Sequence, residues 1–341
     1  DADNPAAHEA AATLLIRFNR LDEAMNHIDV LLAKKIDLNF DFLLNATRNA
    51  DNKTIALLIG RMDGLLQKYP DNHQLWFTRG LLKHEQDKSQ GLEDIEQSLA
   101  LQPTYVNAII AKARLLEERD QQKPARELLA DATQASPDNK RLGLAYARLL
   151  LRQKRIDDAN KEFARLVDHF PDDSDLVLSL ALVAWENDQE QVAVEQLEKL
   201  VKTDRASEAH SYLGRIAASR NDKEKAIEHF RMVDIGPQFT AARIQMAALL
   251  AAENQIDSAR QTLAQARQRA PQDSLQYYMM ESEILSDAGR KTEALSVLDE
   301  ASTKTPEDLN ILYAKGMMLG ELERWDDMEK VWNHTIYNEL R

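Results

Sequence analysis

Small and apolar side chains recur along this chain with two superimposed periods. Within Ala125–Pro137 (ARELLADATQASP), a helical period brings Ala125, Leu129 and Ala132 onto one face, and Pro137 ends the run. The same four positions return as Ala159, Phe163, Leu166 and Pro171, as Ala259, Leu263, Ala266 and Pro271, and as Ala294, Leu298, Ala301 and Pro306. Ala193, Leu197 and Leu200 make a copy without proline, and Ala226, Phe230 and Val233 make one whose Pro237 falls a residue early. The lead alanines are 34, 34, 33, 33 and 35 residues apart. A second apolar-periodic segment precedes each copy, with Ala113, Ala147, Ala181, Gly214, Ala247 and Ser282 at its close-contact position. Each unit therefore predicts two antiparallel helices. Small residues at their crossing let the axes approach to about 8 Å. Proline stops the second helix, and Asp138 with Asn139, Asp172 to Ser174, and Asp273 with Ser274 are the expected caps of the next.

The ends of the chain follow the pattern less closely. Repeat one holds Ala24, Ile28 and Leu31, with Asn19 and Arg20 at its turn. In repeat two, Asp37 to Pro70, Leu58, Met62 and Leu65 replace the small residues and Gly60 and Gly64 fall inside the second helix, which predicts splayed or shifted helices. Repeat three has Trp76, Phe77 and Gly80, then Gly91, Ile95 and Ser98 before Pro103; Gly80 is one residue off register, so a longer turn is expected. Repeat ten keeps Gly316 but carries Met328 and Trp332 where the alanine and the aromatic belong.

A period near 34 with this alanine, aromatic and proline spacing resembles the tetratricopeptide repeat. The resemblance implies an all-α solenoid, a right-handed superhelix of about ten helix-turn-helix repeats. The expected organisation is a single array over 1–341: irregular repeats in 1–105, regular ones in 106–306 and a last, uncapped one in 307–341. Such arrays end in a capping helix. Without one, a fragment of a longer array or an end covered by a partner is expected.

Composition narrows the function. A net charge of -14 argues against nucleic-acid binding. There is no run of about 18 apolar residues to span a membrane. The absence of cysteine excludes disulfides, zinc–thiolate sites and thiol catalysis from these residues. The chain starts at Asp1 without methionine, so a processed or trimmed N-terminus is expected. His8, His27, His73, His84, His169, His210, His229 and His334 form no His-Glu-x-x-His pair. The run Asp172-Asp173-Ser174-Asp175 lacks the glycine and closing glutamate of a calcium loop. With no phosphate loop or nucleophile elbow either, the chain is read as a non-enzyme without metal or cofactor.

Binding has candidates. In this repeat the first helices line the concave face, and counting back from each proline places Trp76, Phe77, Arg114, Arg141, Arg148, Arg152, Trp185, Tyr212, Arg215, Met279, Met280, Tyr313 and Met317 on it. Arg141, Arg148 and Arg152 share one face of one helix, and Arg114 and Arg215 repeat the position of Arg148. This predicts an aromatic and methionine groove crossed by a cationic strip that takes peptide carboxylates. A one-residue register error would instead bury the apolar members as inter-repeat core, and a solvated charged face is the plain alternative for the arginines.

The Lys/Asn and Lys/Arg carboxylate clamp of chaperone-binding members is not reproduced. The segments from GPQFTAARIQMAALLAAENQIDSARQTL through YYMMESEILSDAGRKTEALSVLDEA to LNILYAKGMMLGELERWDDMEKVW resemble the repeats of proteobacterial outer-membrane lipoprotein adaptors of a periplasmic carboxyl-terminal processing protease. That resemblance implies a scaffold that binds the protease and delivers substrates, including peptidoglycan cross-link hydrolases. It also implies a periplasmic, outer-membrane-anchored protein whose acylated cysteine would lie upstream of Asp1. The alternatives are a scaffold for another envelope or cytochrome-maturation assembly and, for location, the cytoplasm.

Overall fold

The computed structural model describes residues 4–34, 40–47, 50–234, 236–306 and 308–339, and no side chain beyond 333. Asp1, Asp37, Arg341 and the His334 side chain lie outside this description. Among the described residues there is no strand; there are twenty α-helices, and all but α3 and α4 pair with their chain neighbour as helix-turn-helix units.

The chain divides into two compact units, Asp1–His169 and Phe170–Arg341. The first contains α1 (Pro5–Arg17), α2 (Leu21–Ala33), α3 (Asp41–Thr47), α4 (Asn52–Lys68), α5 (His73–Gln86), α6 (Leu92–Leu101), α7 (Val106–Glu118), α8 (Gln122–Ala135), α9 (Lys140–Arg152) and α10 (Ile156–His169). The second contains α11 (Ser174–Glu186), α12 (Glu190–Leu200), α13 (Ala206–Ser219), α14 (Lys223–Met232), α15 (Phe239–Ala252), α16 (Ile256–Arg269), α17 (Ser274–Asp287), α18 (Lys291–Lys304), α19 (Leu309–Glu321) and α20 (Trp325–Glu339).

The lead positions explain the pairing. Ala125, Ala159, Ala193, Ala226, Ala259 and Ala294 are all fully buried, as are Phe230 and Leu263 one turn on. The core is a succession of layers between neighbouring helices, with no central mass: Ile109, Ala113, Leu129 and Leu142 form one in the first unit, and Phe230, Phe239, Ala247, Leu263 and Tyr277 another in the second. The turn within most repeats holds a residue in the left-handed region, as Asn19, Asp120, Lys154, Asp188, Asn221 and Asn254 do. The side chains of Asn139 and Asp173 cap α9 and α11, accepting from the Leu142 and Leu176 amides at 3.2 Å. Asp273 is a different case. A 3-10 turn, Pro271–Asp273, precedes α17, and the Asp273 carboxylate accepts from Thr240 Oγ1 at 2.5 Å instead of capping the helix.

The irregular repeats are irregular in space. The short α3 packs on α1 and α5 rather than along α4, and α4 lies on α2 and α5. Leu58 and Met62 are fully buried, whereas a Cβ at Gly60 or Gly64 would meet nothing, so the glycines face outward. The turn from α5 to α6 is long, and Gly91 in it adopts φ +88° with its backbone against Gly80. A side chain on either glycine would collide with the other.

Candidate functional site

The first helices carry two different surfaces, one in each unit. In the first unit, α7 and α9 stand side by side over Leu129 of α8. Between them lies a cavity of about 560 Å³ lined by Ile110, Ala113, Ala145, Leu149, Arg114, Glu117, Glu118, Arg148 and Arg152. The floor is apolar because Ala113 and Ala145 are too small to fill it. The rim is charged, and its charges are organised. Arg152 donates through Nε and Nη2 to Glu117 at 2.7–3.0 Å, and this contact pushes its guanidinium further above the usual arginine value. Arg114 lies 3.4 Å from Glu118. Glu118 also reaches within 2.7 Å of Nε2 of the buried His84, although neither ring nitrogen of that histidine is in hydrogen-bonding geometry. Arg148, exposed on the same rim, has no hydrogen bond or ion pair among the described residues.

In the second unit, Trp185 on α11 meets Tyr212 on α13 edge-on, with centroids 5.6 Å apart at 73°. The Arg215 guanidinium lies 4.6 Å from the Trp185 ring and 5.5 Å from the Tyr212 ring. It is held by π-faces rather than by a carboxylate. Further along, Met280 lines a second cavity of about 410 Å³ between α15 and α17, with Ala248, Ala251, Ile256, Glu283 and Asp287.

The predicted strip is thus brought together in part. Arg114, Arg148 and Arg152 share one cavity, and Trp185, Tyr212 and Arg215 form one cluster. Arg141 is exposed but tied to Asn107 Oδ1 at 2.7 Å, outside the cavity lining. Tyr313 and Met317 are exposed on α19, with Tyr313 edge-on to Trp332 at 5.7 Å. Met279, a residue and about 100° round the helix from Met280, packs half-buried on the core of the last repeats.

One assignment is corrected. Phe77 is 6% exposed and packs with Ile95, Ala108 and Leu115, edge-on to Tyr105, so it is inter-repeat core. Its neighbour Trp76 is half-buried against the adjoining core. The Trp76 indole donates to Pro70 O at 2.7 Å and the Arg79 guanidinium covers the ring at 4.6 Å. The one-residue register offset turns the Phe77 side chain into the core and leaves Trp76 half-exposed beside it. The spacing also passed over Glu117 and Glu118. Glu117 stands 35 residues before the arginine it binds, one repeat and a residue, so its signal was an acid at a groove position of the preceding repeat.

This stacked pairing is the tetratricopeptide-repeat fold. Residues 123–185 and 217–284 match a family described as Tetratricopeptide repeat, and residues 178–238 match a second family of the same description. A TPR repeat-containing protein of Pseudomonas aeruginosa is 36% identical over 338 residues, 99% of this chain and 57% of that protein. The chain therefore spans a little over half of that relative's length. Among solved structures, a tetratricopeptide repeat protein from Parabacteroides merdae is 12% identical with a TM-score of 0.42, over 72% of this chain and 98% of that one. Pseudomonas aeruginosa pilF is 20% identical with a TM-score of 0.42, over 62% of this chain and 97% of that one. Arrays of this class are generally non-catalytic and suited to protein–protein interaction. No helix of the described residues is long and apolar enough to cross a membrane.

Proposed function

We propose that this chain is a non-catalytic adaptor whose first-helix surfaces capture a peptide segment of a client protein. The client reading that its repeats support by resemblance is a cell-wall hydrolase, delivered to a periplasmic carboxyl-terminal processing protease from an outer-membrane anchor. The observation that carries the capture step is the α7–α9 cavity. It offers an apolar floor for a side chain and one arginine, Arg148, with no carboxylate of its own, while Arg114 and Arg152 are pre-oriented by Glu118 and Glu117. A peptide carboxylate can complete Arg148 in the bidentate geometry arginine favours.

The test is a binding-kinetics comparison using the full-length protein, its protease and a hydrolase client. Trp185→Ala with Tyr212→Ala should speed client dissociation by about 2 kcal/mol, as loss of an aromatic hot spot does. Arg148→Ala should mainly lower the on-rate and flatten its dependence on ionic strength. Both variants should retain the protease. Variants that lose the protease and keep the client reverse the assignment of surfaces, and variants that lose neither remove these surfaces from the mechanism.

A further inference from the structure

One side-chain pairing occurs twice. His210 on α13 and His229 on α14 bring their Nδ1 atoms to 3.1 Å, with ring centroids 5.3 Å apart. His8 on α1 and His27 on α2 bring theirs to 2.8 Å, with centroids 5.0 Å apart. The two pairs occupy identical repeat positions. His27 and His229 each follow the lead alanine, Ala24 or Ala226, by three residues, and His8 and His210 each precede the facing small residue, Ala12 or Gly214, by four. Both lead alanines and Ala12 are fully buried, and a Cβ on Gly214 would stand 2.7 Å from the Phe230 ring. The helix spacing is therefore fixed independently of the histidines, and the imidazoles are presented as a preformed pair.

The geometry points to a two-histidine chelate for a late divalent transition metal, Cu²⁺ or Ni²⁺, bridging the two helices of one repeat in each unit. Imidazole nitrogens bind such ions at about 2.0–2.1 Å, so two of them at right angles are about 2.8–3.0 Å apart and two at a tetrahedral angle about 3.3–3.4 Å. The observed separations lie nearer the right-angled case, which square-planar and octahedral ions favour and tetrahedral Zn²⁺ does not. Among the described residues no group of three or more His, Asp or Glu converges on a metal position, so each histidine pair is proposed as the ligand set on its own. In the free protein one Nδ1 donates to the other. Binding moves that proton to Nε2 of the same ring and leaves both Nδ1 lone pairs on the metal.

The surroundings of the second-unit pair suit this. Burial lowers the affinity of both His210 and His229 for a proton, which keeps them as the neutral ligands a metal needs. Glu198 and Glu228 add negative potential at His229, opposed by Lys225. A bridging ion would also stabilise the repeat by mass action.

The experiment titrates this chain with NiCl2, CuCl2 and ZnCl2 by calorimetry, with Cu²⁺ electron paramagnetic resonance on the unmodified protein. Two equivalents of Ni²⁺ are expected, bound about tenfold more tightly than Zn²⁺, with nitrogen couplings on Cu²⁺. His229→Gln and His27→Gln should each remove one equivalent. Circular dichroism checks that each variant keeps its helices. An unchanged stoichiometry in a variant carrying both His27→Gln and His229→Gln, Zn²⁺ bound most tightly, or Cu²⁺ spectra without nitrogen coupling would each overturn the assignment; the last two need no variant.

Discussion

Arg148 and Arg215 each follow the small close-contact residue of their first helix, Ala147 and Gly214, by one position, yet they sit in opposite environments. Where the second unit places Trp185 and Tyr212 around Arg215, the matching positions of the first unit hold Glu117 and Ala145. The aromatic pair fills the space and holds the guanidinium on its faces. The acid and the alanine leave a cavity open, and Glu117 is drawn off to Arg152. Identical repeat position therefore fixes where an arginine emerges, while one residue a repeat back and one three places earlier on the same helix decide whether it is a stacked platform or an open charge.

The largest expected effect tests whether the units respond separately. Phe230→Ala empties a fully buried position in the second unit, at a cost of about 3–5 kcal/mol. Hydrogen exchange should accelerate in α13 to α16 and stay unchanged in α1 to α8; an equal rise throughout would contradict nearest-neighbour stability. A smaller effect separates the small residues. Gly214→Ala drives a methyl into Phe230, and overpacking outweighs the gain in helix propensity by about 1 kcal/mol. Ala147→Gly in the first unit should cost about 1–2 kcal/mol, with no clash, by loss of helix propensity and of a fully buried methyl. A Gly214→Ala protein as stable as its parent would mean the ring has room to move.

The histidine pair of the second unit predicts a pH dependence. Burial holds His210 and His229 below the ordinary histidine value of 6.5, so the unfolded chain takes up protons first as the pH falls. Their contribution is fully present above about pH 6.5 and declines as the pH drops through it. Urea midpoints at pH 7.5 and 5.5 should differ more for the parent than for His210→Gln/His229→Gln. An equal difference would remove the pair as its source.

The two arginine settings should also part in salt. Arg152→Ala removes an ion pair with Glu117, and its cost, about 1 kcal/mol at low ionic strength, should shrink at 1 M salt. Arg215→Ala removes contacts to two rings, about 0.5–1 kcal/mol, and should respond less to salt. Equal responses would erase the distinction between the units. Smallest of all is a gain: Lys154 has φ 56° in the turn before α10, where Asn221 and Asn254 hold the same conformation in the second unit, and Lys154→Gly should add about 0.5 kcal/mol. Thermal unfolding with no rise in midpoint would count against strain there.

Pattern alone decided the helices and their pairing. In the regular repeats a buried alanine at the crossing and, in most of them, a proline after the second helix act within one or two turns, so Ala125, Ala159 and Ala294 and the ends of α8, α10 and α18 were readable as letters. The expected splaying or shifting of the helices of repeat two was legible for the same reason, since Leu58 and Met62 are too large for a close crossing. Only the tertiary structure decided which side chains remain on the surface and what they touch. One residue of register turns a side chain about 100° round the helix, enough to send Phe77 into the core and leave Met280 at a cavity. Arg152 finds Glu117, Arg215 finds Trp185 and His210 finds His229 across 19 to 35 residues of sequence, because packing, not spacing, sets the distance and angle at which neighbouring helices present their faces.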